Sequence, residues 1–171
     1  MESAWMGRYR PLIAALVYHG NNVARTQYIR VPMKDDIDMT QVEWQILEYL
    51  LENEQDDECM SRISERLGIP QSSLSKAVKT LCGFGLVERF RRGRNRKNVI
   101  LRATQKGLDL YREMAPRLLE LNNFRAFFEA LAELDEGELA AVTKAVRLLS
   151  DGIEGTPEPA PLIPLDAEPE S

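Results

Sequence analysis

Apolar positions along this chain mostly recur in steps of three and four, the period that puts side chains on one face of an α-helix. Leu12, Ile13, Leu16, Val17, Val23 and Tyr28 carry that spacing through the first segment, with Gly20-Asn21-Asn22 as a weak point. Val31-Pro32 is expected to end it, because the residue before a proline avoids the helical region. Thr40 then offers an N-cap to a helix over Gln41–Glu52, and Glu43 completes a capping box. Val42, Ile46, Leu47, Leu50 and Leu51 form its expected buried side, with Trp44 adding bulk.

Asp56 or Asp57 can cap a short helix over Glu58–Leu67 that stops at Gly68. Gly68-Ile69-Pro70 reads as a tight turn, with glycine ending one helix and proline pre-set for the first turn of the next. That next helix is expected over about Pro70–Leu81, burying Leu74, Val78 and Leu81. At 100° per residue, Ser72, Lys76 and Lys79 fall on its opposite side, flanked by Ser73 and Ser75. One apolar stripe opposite one short-polar and cationic face suits a helix that lies on a core and in a major groove.

A helix end and a short strand follow within residues 84–97, and then a second β-prone run, Asn98–Ala103. Between Glu88 and Lys97, six of ten residues are basic and one is acidic. Such a hairpin holds its cations away from the body of the domain, as contact with a phosphate backbone or a narrow groove requires. Thr104 can cap a long helix with a seam at Leu108, Tyr111, Ala115, Leu118, Leu121, Phe124, Phe128 and Leu131, kinked at Pro116. Asp135 and Glu138 form a second capping box, opening a last helix with Leu139, Val142, Val146 and Leu149 inward.

Composition changes this picture at one point. The 171 residues suffice for one domain with some excess, and the net charge of −5 argues superficially against nucleic acid. Six acids and no base, however, fall within residues 151–171, so residues 1–150 carry a net charge of +1. The five prolines past Gly152 and the shortage of bulky residues there read as a disordered acidic tail. No run of about 18 apolar residues exists, and the chain is expected to be cytoplasmic. Cys59 and Cys82 have no zinc or redox spacing and are expected to be buried, inert thiols.

The order of these elements, with several local patterns, resembles the MarR family of winged helix-turn-helix regulators. Met39–Leu47 is similar to that family's opening of the second helix, and Ser72–Lys76 to its recognition helix. Gly85–Arg89 resembles the run into its wing, and Ala103–Gly107 its Leu-Thr-x-x-Gly step into the long helix. The resemblance covers about residues 8–150. One departure stands out: where the family carries Asp-x-Arg in the wing, this chain has Asn95 and Lys97. Asn95 loses the charge-assisted hydrogen bond, and Lys97 lacks the planar fork of arginine, which leaves Arg94 and Arg96 as neighbours able to serve the groove.

The resemblance implies a mainly α fold with a small β-hairpin. Residues 1–38 would be an N-terminal dimerisation helix, 39–103 the winged helix-turn-helix domain, 104–150 the C-terminal dimerisation helices and 151–171 the tail. It implies a homodimer that binds a pseudo-palindromic operator in double-stranded DNA, represses transcription and responds to a small-molecule effector. Ser72, Ser73, Ser75, Lys76 and Lys79 would read the major groove. Arg91, Arg92, Arg94, Asn95, Arg96 and Lys97 would form the gripping wing. Tyr18, His19 and Trp44 are candidates for an effector pocket, against the plainer reading of His19 as a packed interface residue. No metal-ligand cluster surrounds His19, and no phosphate loop or catalytic dyad is present, so neither a cofactor nor an enzyme is expected. The rival reading is a winged-helix protein-interaction module that has lost DNA binding.

Overall fold

The computed structural model describes residues 6–54, 59–91, 99–121 and 124–151. These form seven α-helices and two antiparallel two-stranded sheets. In chain order they are α1 (Arg10–Thr26), β1 (Val31–Pro32), β2 (Asp38–Met39), α2 (Gln41–Glu52), α3 (Met60–Leu67) and α4 (Gln71–Gly83). The hairpin β3 (Val87–Arg91) and β4 (Val99–Ala103) follows, then α5 (Gln105–Leu121), α6 (Phe124–Ala132) and α7 (Glu136–Asp151). The class is mainly helical with a small hairpin, and the chain divides into two compact units, one through Leu118 and one from Leu119.

The first helix stops at Thr26, short of the expected end at Val31. Val31 and Pro32 instead pair with Met39 and Asp38 in a short ribbon. Proline is tolerated there because each strand of a two-stranded ribbon is an edge. The chain reverses through Asp35 and Asp36, both left-handed at φ +52° and +60°, and the Ile37 amide donates to the Lys34 carbonyl at 2.9 Å. Two successive residues with positive φ give the type I′ twist that matches paired strands. Strands of two residues carry no readable alternation, so periodicity could not reveal this ribbon.

The ribbon is pinned to α2 through Arg30. Its Nε lies 2.9 Å from Asp38 Oδ2 and its Nη1 lies 3.2 Å from Glu43 Oε1, while Nη2 donates to the Asp38 carbonyl. Glu43 is the expected capping-box residue: its Oε2 accepts from the Thr40 amide at 2.8 Å, and its own amide donates to Thr40 Oγ1 at 3.2 Å. The side chain is nevertheless buried, which a carboxylate tolerates only when paired and hydrogen-bonded. Arg30 supplies that partner. The guanidinium in turn holds Asp38 below its ordinary carboxylate value, chiefly through the side-chain hydrogen bond.

Core side chains converge from α2, α3, α4, the hairpin and α5. Ile46, Leu47, Leu74, Val78, Leu81 and Leu86 are fully buried, with Ile63, Val87, Leu101, Leu110 and Met114 around them. Leu51 is only half-buried. Helix α3 begins at Met60 with Cys59 at its N-cap position, and Asp56 and Asp57 lie outside the described residues. Gly68 ends α3 in the left-handed conformation at φ +63°, and Ser64 Oγ ties the turn by donating to the Ile69 carbonyl at 2.6 Å.

Pro116 lies inside α5, which continues through it to Leu121. Trp44 on α2 stacks on Tyr111 of α5, with ring centroids 5.2 Å apart, and Tyr111 donates its hydroxyl to Glu48 at 2.8 Å. In the second unit, Asp135 and Glu138 form the expected capping box, at 2.8 and 3.0 Å. Leu139, Val142, Val146 and Leu149 do not point inward within the protomer: all four are exposed, as are Phe124, Phe127 and Phe128 of α6. The periodicity is that of an amphipathic helix, but no described residue covers its apolar face.

Candidate nucleic-acid interface

Helix α4 presents two unlike faces because its sequence alternates at helical period. Leu74, Ala77, Val78 and Leu81 are buried against the core. Ser72, Ser75, Lys76 and Lys79 are exposed, and Ser73 is half-buried at the margin. The expected recognition residues are therefore brought together on one outward face. Pro70 takes the N-cap position, so the helix starts at Gln71, which is also exposed.

The hairpin is anchored at its base by a closely bonded junction. Thr104 donates its amide to the Leu86 carbonyl at 2.9 Å and its hydroxyl to the Gly85 carbonyl at 2.7 Å. The same hydroxyl accepts the Gly107 amide at 3.1 Å, capping α5. Lys106 donates to the Phe84 carbonyl at 2.8 Å. Gly107 is required by proximity: a Cβ there would stand 2.5 Å from the Leu86 carbonyl oxygen. The Thr-x-x-Gly step is thus the clamp between the long helix and the wing.

Above this clamp, β3 and β4 pair in register from Val87 opposite Ala103 to Arg91 opposite Val99. Side chains alternate between faces, so Val87 and Arg89 share one face with Leu101, and Glu88 and Phe90 share the other with Arg102 and Ile100. Val87 and Leu101 are buried and root the ribbon, whereas Arg89 is exposed. On the other face the Arg102 guanidinium lies 5.7 Å from the centre of the Phe90 ring. Cys59 adds an isolated bridge to Ile100 on the outer edge of β4. Arg91 closes β3, while Arg92, Arg94, Asn95, Arg96 and Lys97 lie outside the described residues.

Two further hairpin cations are Arg89, counted in the sequence only as part of the basic run from Glu88 to Lys97, and Arg102, which the sequence did not single out. Their signal was the strand period: counting by two from the apolar anchors Val87 and Leu101 fixes which face each guanidinium occupies.

Tyr18 and His19 are exposed on α1, while Trp44 is half-buried against Tyr111, and neither described cavity includes any of the three. Both cysteines are free, but they are half-buried rather than buried. The Cys59 thiol is held below its ordinary value, first by the Ser61 hydroxyl 3.0 Å away and then by the Arg62 backbone amide, rather than by the Arg62 side chain. Among the described residues, no group of three His, Cys, Asp or Glu side chains is placed to hold a metal, and no helix is long and apolar enough to cross a membrane.

Residues 39–107 match the family described as a winged helix DNA-binding domain. No curated protein matches the sequence. Among solved structures, a MarR/EmrR family transcriptional regulator from Acinetobacter sp. ADP1 aligns with a TM-score of 0.59 at 18% identity, over 85% of this chain and 96% of that one. PcaV from Streptomyces coelicolor, solved with its natural ligand, aligns with a TM-score of 0.57 at 18% identity, over 90% and 98%. Lactococcus lactis ZitR in complex with DNA aligns with a TM-score of 0.55 at 19% identity, over 86% and 99%. Residues 39–107 thus match a winged helix DNA-binding domain, within a chain that has the fold of the MarR-family transcriptional regulators.

Proposed function

We propose that the protein is a homodimeric, sequence-specific transcriptional repressor of the cytoplasm, acting on a pseudo-palindromic operator and released by a small-molecule effector. The observation that carries the DNA-binding part is the outward face of α4, where Ser72, Ser75, Lys76 and Lys79 stand exposed beside a hairpin bearing Arg89 and Arg102. Short hydroxyls let a helix approach base edges closely, and lysines meet the flanking phosphates. In this reading, Ser72, Ser73, Ser75, Lys76 and Lys79 read the major groove. The wing residues from Arg91 to Lys97, Arg94 and Arg96 foremost, grip the backbone or the adjacent minor groove.

Homodimerisation is supported by helices that bury nothing in the protomer. Helix α1 has no buried residue and exposes Leu12, Val17 and Tyr18, and α6 and α7 expose the apolar stripes already described. An apolar area this extensive on separate helices is the mark of an interface. Residues 1–38 and 104–150 would supply it, as the resemblance implies. Two recognition helices would then meet successive major grooves about 34–36 Å apart, which makes the operator pseudo-palindromic. Effector control rests on analogy with PcaV, whose structure holds a natural ligand.

The test is binding to duplex DNA from the region upstream of the protein's own gene, titrated across salt. A dimer that neutralises about eight phosphates should give a log–log slope near −7. Tight, steep and sequence-selective binding supports the regulator. No retention on any duplex at low salt would overturn it in favour of a protein-interaction module.

A further inference from the structure

A shallow cavity of about 340 Å3 lies where the C-terminal half of α4 meets β3, lined by Lys79, Cys82, Val87, Glu88 and Arg89. Two periodicities place its cations. Cys82 follows Lys79 by three residues on α4, so both lie on the same side of the helix, in continuation of the exposed face that carries Lys76. Arg89 follows Val87 by two on β3, so it shares the face that packs toward α4. Val87 is buried at 2% exposure and fixes that orientation from below. Lys79 and Arg89 are thus brought from two elements to the rim of one depression, above an uncharged floor of Cys82 and Val87. Glu88 contributes the only carboxylate of the lining, and it belongs to the opposite face of β3, in register with Arg102.

Two cations from separate elements against one carboxylate in the lining leave one net positive charge, which suits one singly charged, tetrahedral anion. Resting on the DNA-binding reading above, we infer that Lys79 and Arg89 together seat a single phosphate of the DNA backbone. That phosphate belongs to the strand running between the groove entered by the first turns of α4 and the groove faced by the wing. Arg89 supplies the planar fork that holds two phosphate oxygens, and Lys79 supplies a compact charge from the side. The contact carries no sequence information: it fixes how deeply α4 sits in the groove, and so sets the register in which Ser72, Ser73 and Lys76 meet the bases.

The experiment uses the full-length chain with Cys59→Ser, which leaves Cys82 as its single thiol and puts a good N-cap residue on α3. Its binding to upstream duplex is measured across salt alone and with Arg89→Ala, Lys79→Ala and both. The rate of Cys82 alkylation by N-ethylmaleimide is followed with and without DNA. A shared phosphate stays neutralised while either cation remains, so each single variant should weaken binding equally on operator and random duplex with little change of slope, and the double variant should flatten the slope by roughly 0.9 per half-site. Arg89→Lys should keep both affinity and slope, and DNA should slow Cys82 alkylation at least several-fold.

A slope loss of about 0.9 per half-site from each single variant, adding in the double, would mean two separate phosphates and overturn the shared seat, as would an unprotected Cys82 or a slope unmoved by the double variant. In each of those cases the parent protein still binds DNA, and the regulator reading stands. Failure of the parent itself to bind any duplex at low salt overturns both.

Discussion

The α-carbon of Gly107 sits so close to the Leu86 carbonyl that the nearest approach of a β-carbon would be 2.5 Å, with Leu47 Cδ1 at 3.0 Å on the other side. The first obstacle is backbone and cannot turn aside. Gly107→Ala should therefore push α5 off the hairpin base and destabilise the fold by about 1–3 kcal/mol, the usual cost of overpacking. Urea unfolding measures this directly. DNA affinity should fall further than unfolding alone explains, since the same displacement moves β3 and β4 relative to α4.

Replacing Arg94 and Arg96 by Ala should weaken binding to every duplex and flatten its salt dependence, while replacing Ser73 or Lys76 should change which sequences are preferred. Competition assays with operator and scrambled DNA separate the two effects. Equal loss of selectivity from both sets would remove the division of labour between wing and helix.

The apolar stripe of α7 makes a prediction about assembly. Val146 lies midway along that stripe and is exposed in the protomer. Val146→Asp would bury an unpaired carboxylate in any interface formed there, so sedimentation should show monomers where the parent shows dimers. Helical content should be unchanged, because no described residue covers Val146.

Arg30 should leave a trace at acid pH. Asp38 is held below its ordinary value of 3.8 by the Arg30 hydrogen bond, so the stability it lends is complete above pH 3.8. That contribution is lost as pH falls through the lower folded-state value, because the unfolded chain then binds the extra proton. Arg30→Ala should be less stable near neutrality and lose stability less steeply below about pH 4. Chemical unfolding at a series of pH values reads both effects.

At the alkaline end, Tyr111 is pushed up to about 12 by burial first and by its hydrogen bond to Glu48 second. Its phenol favours the folded state below the ordinary value of 10.0, and that preference is lost as pH rises through about 12. In an absorbance titration of the phenolates, Tyr111→Phe should remove one phenol that ionises near pH 12.

What the sequence made legible was local. Both capping boxes, the left-handed stop at Gly68 and the two faces of α4 depend on residues within one or two turns of each other. The Arg30–Glu43 pair was not legible, because nothing in the spacing shows that a ribbon of two-residue strands folds Arg30 back onto α2. The outward stripe of α7 was misread for a related reason. Periodicity shows that a face seeks cover and is silent on whether the cover comes from the same chain. Helical period put Lys79 on the exposed face of α4, but Arg89, counted in the sequence only as one cation of the basic run, is set beside it by the strand register.

The clamp at the hairpin base has a consequence for how such a protein can change. Thr104 bonds back to Gly85 and Leu86, so the excursion from Gly85 to Thr104 is a ring already closed by its own base. The entropy of closing a ring grows only with the logarithm of its length, about 0.6 kcal/mol for each doubling. Insertions or deletions between Arg91 and Val99 should then cost the fold very little, whereas a one-residue change in α4 would rotate its reading face by about 100°. On the DNA-binding reading proposed above, the length of the wing is free to change while α4 must keep its phase.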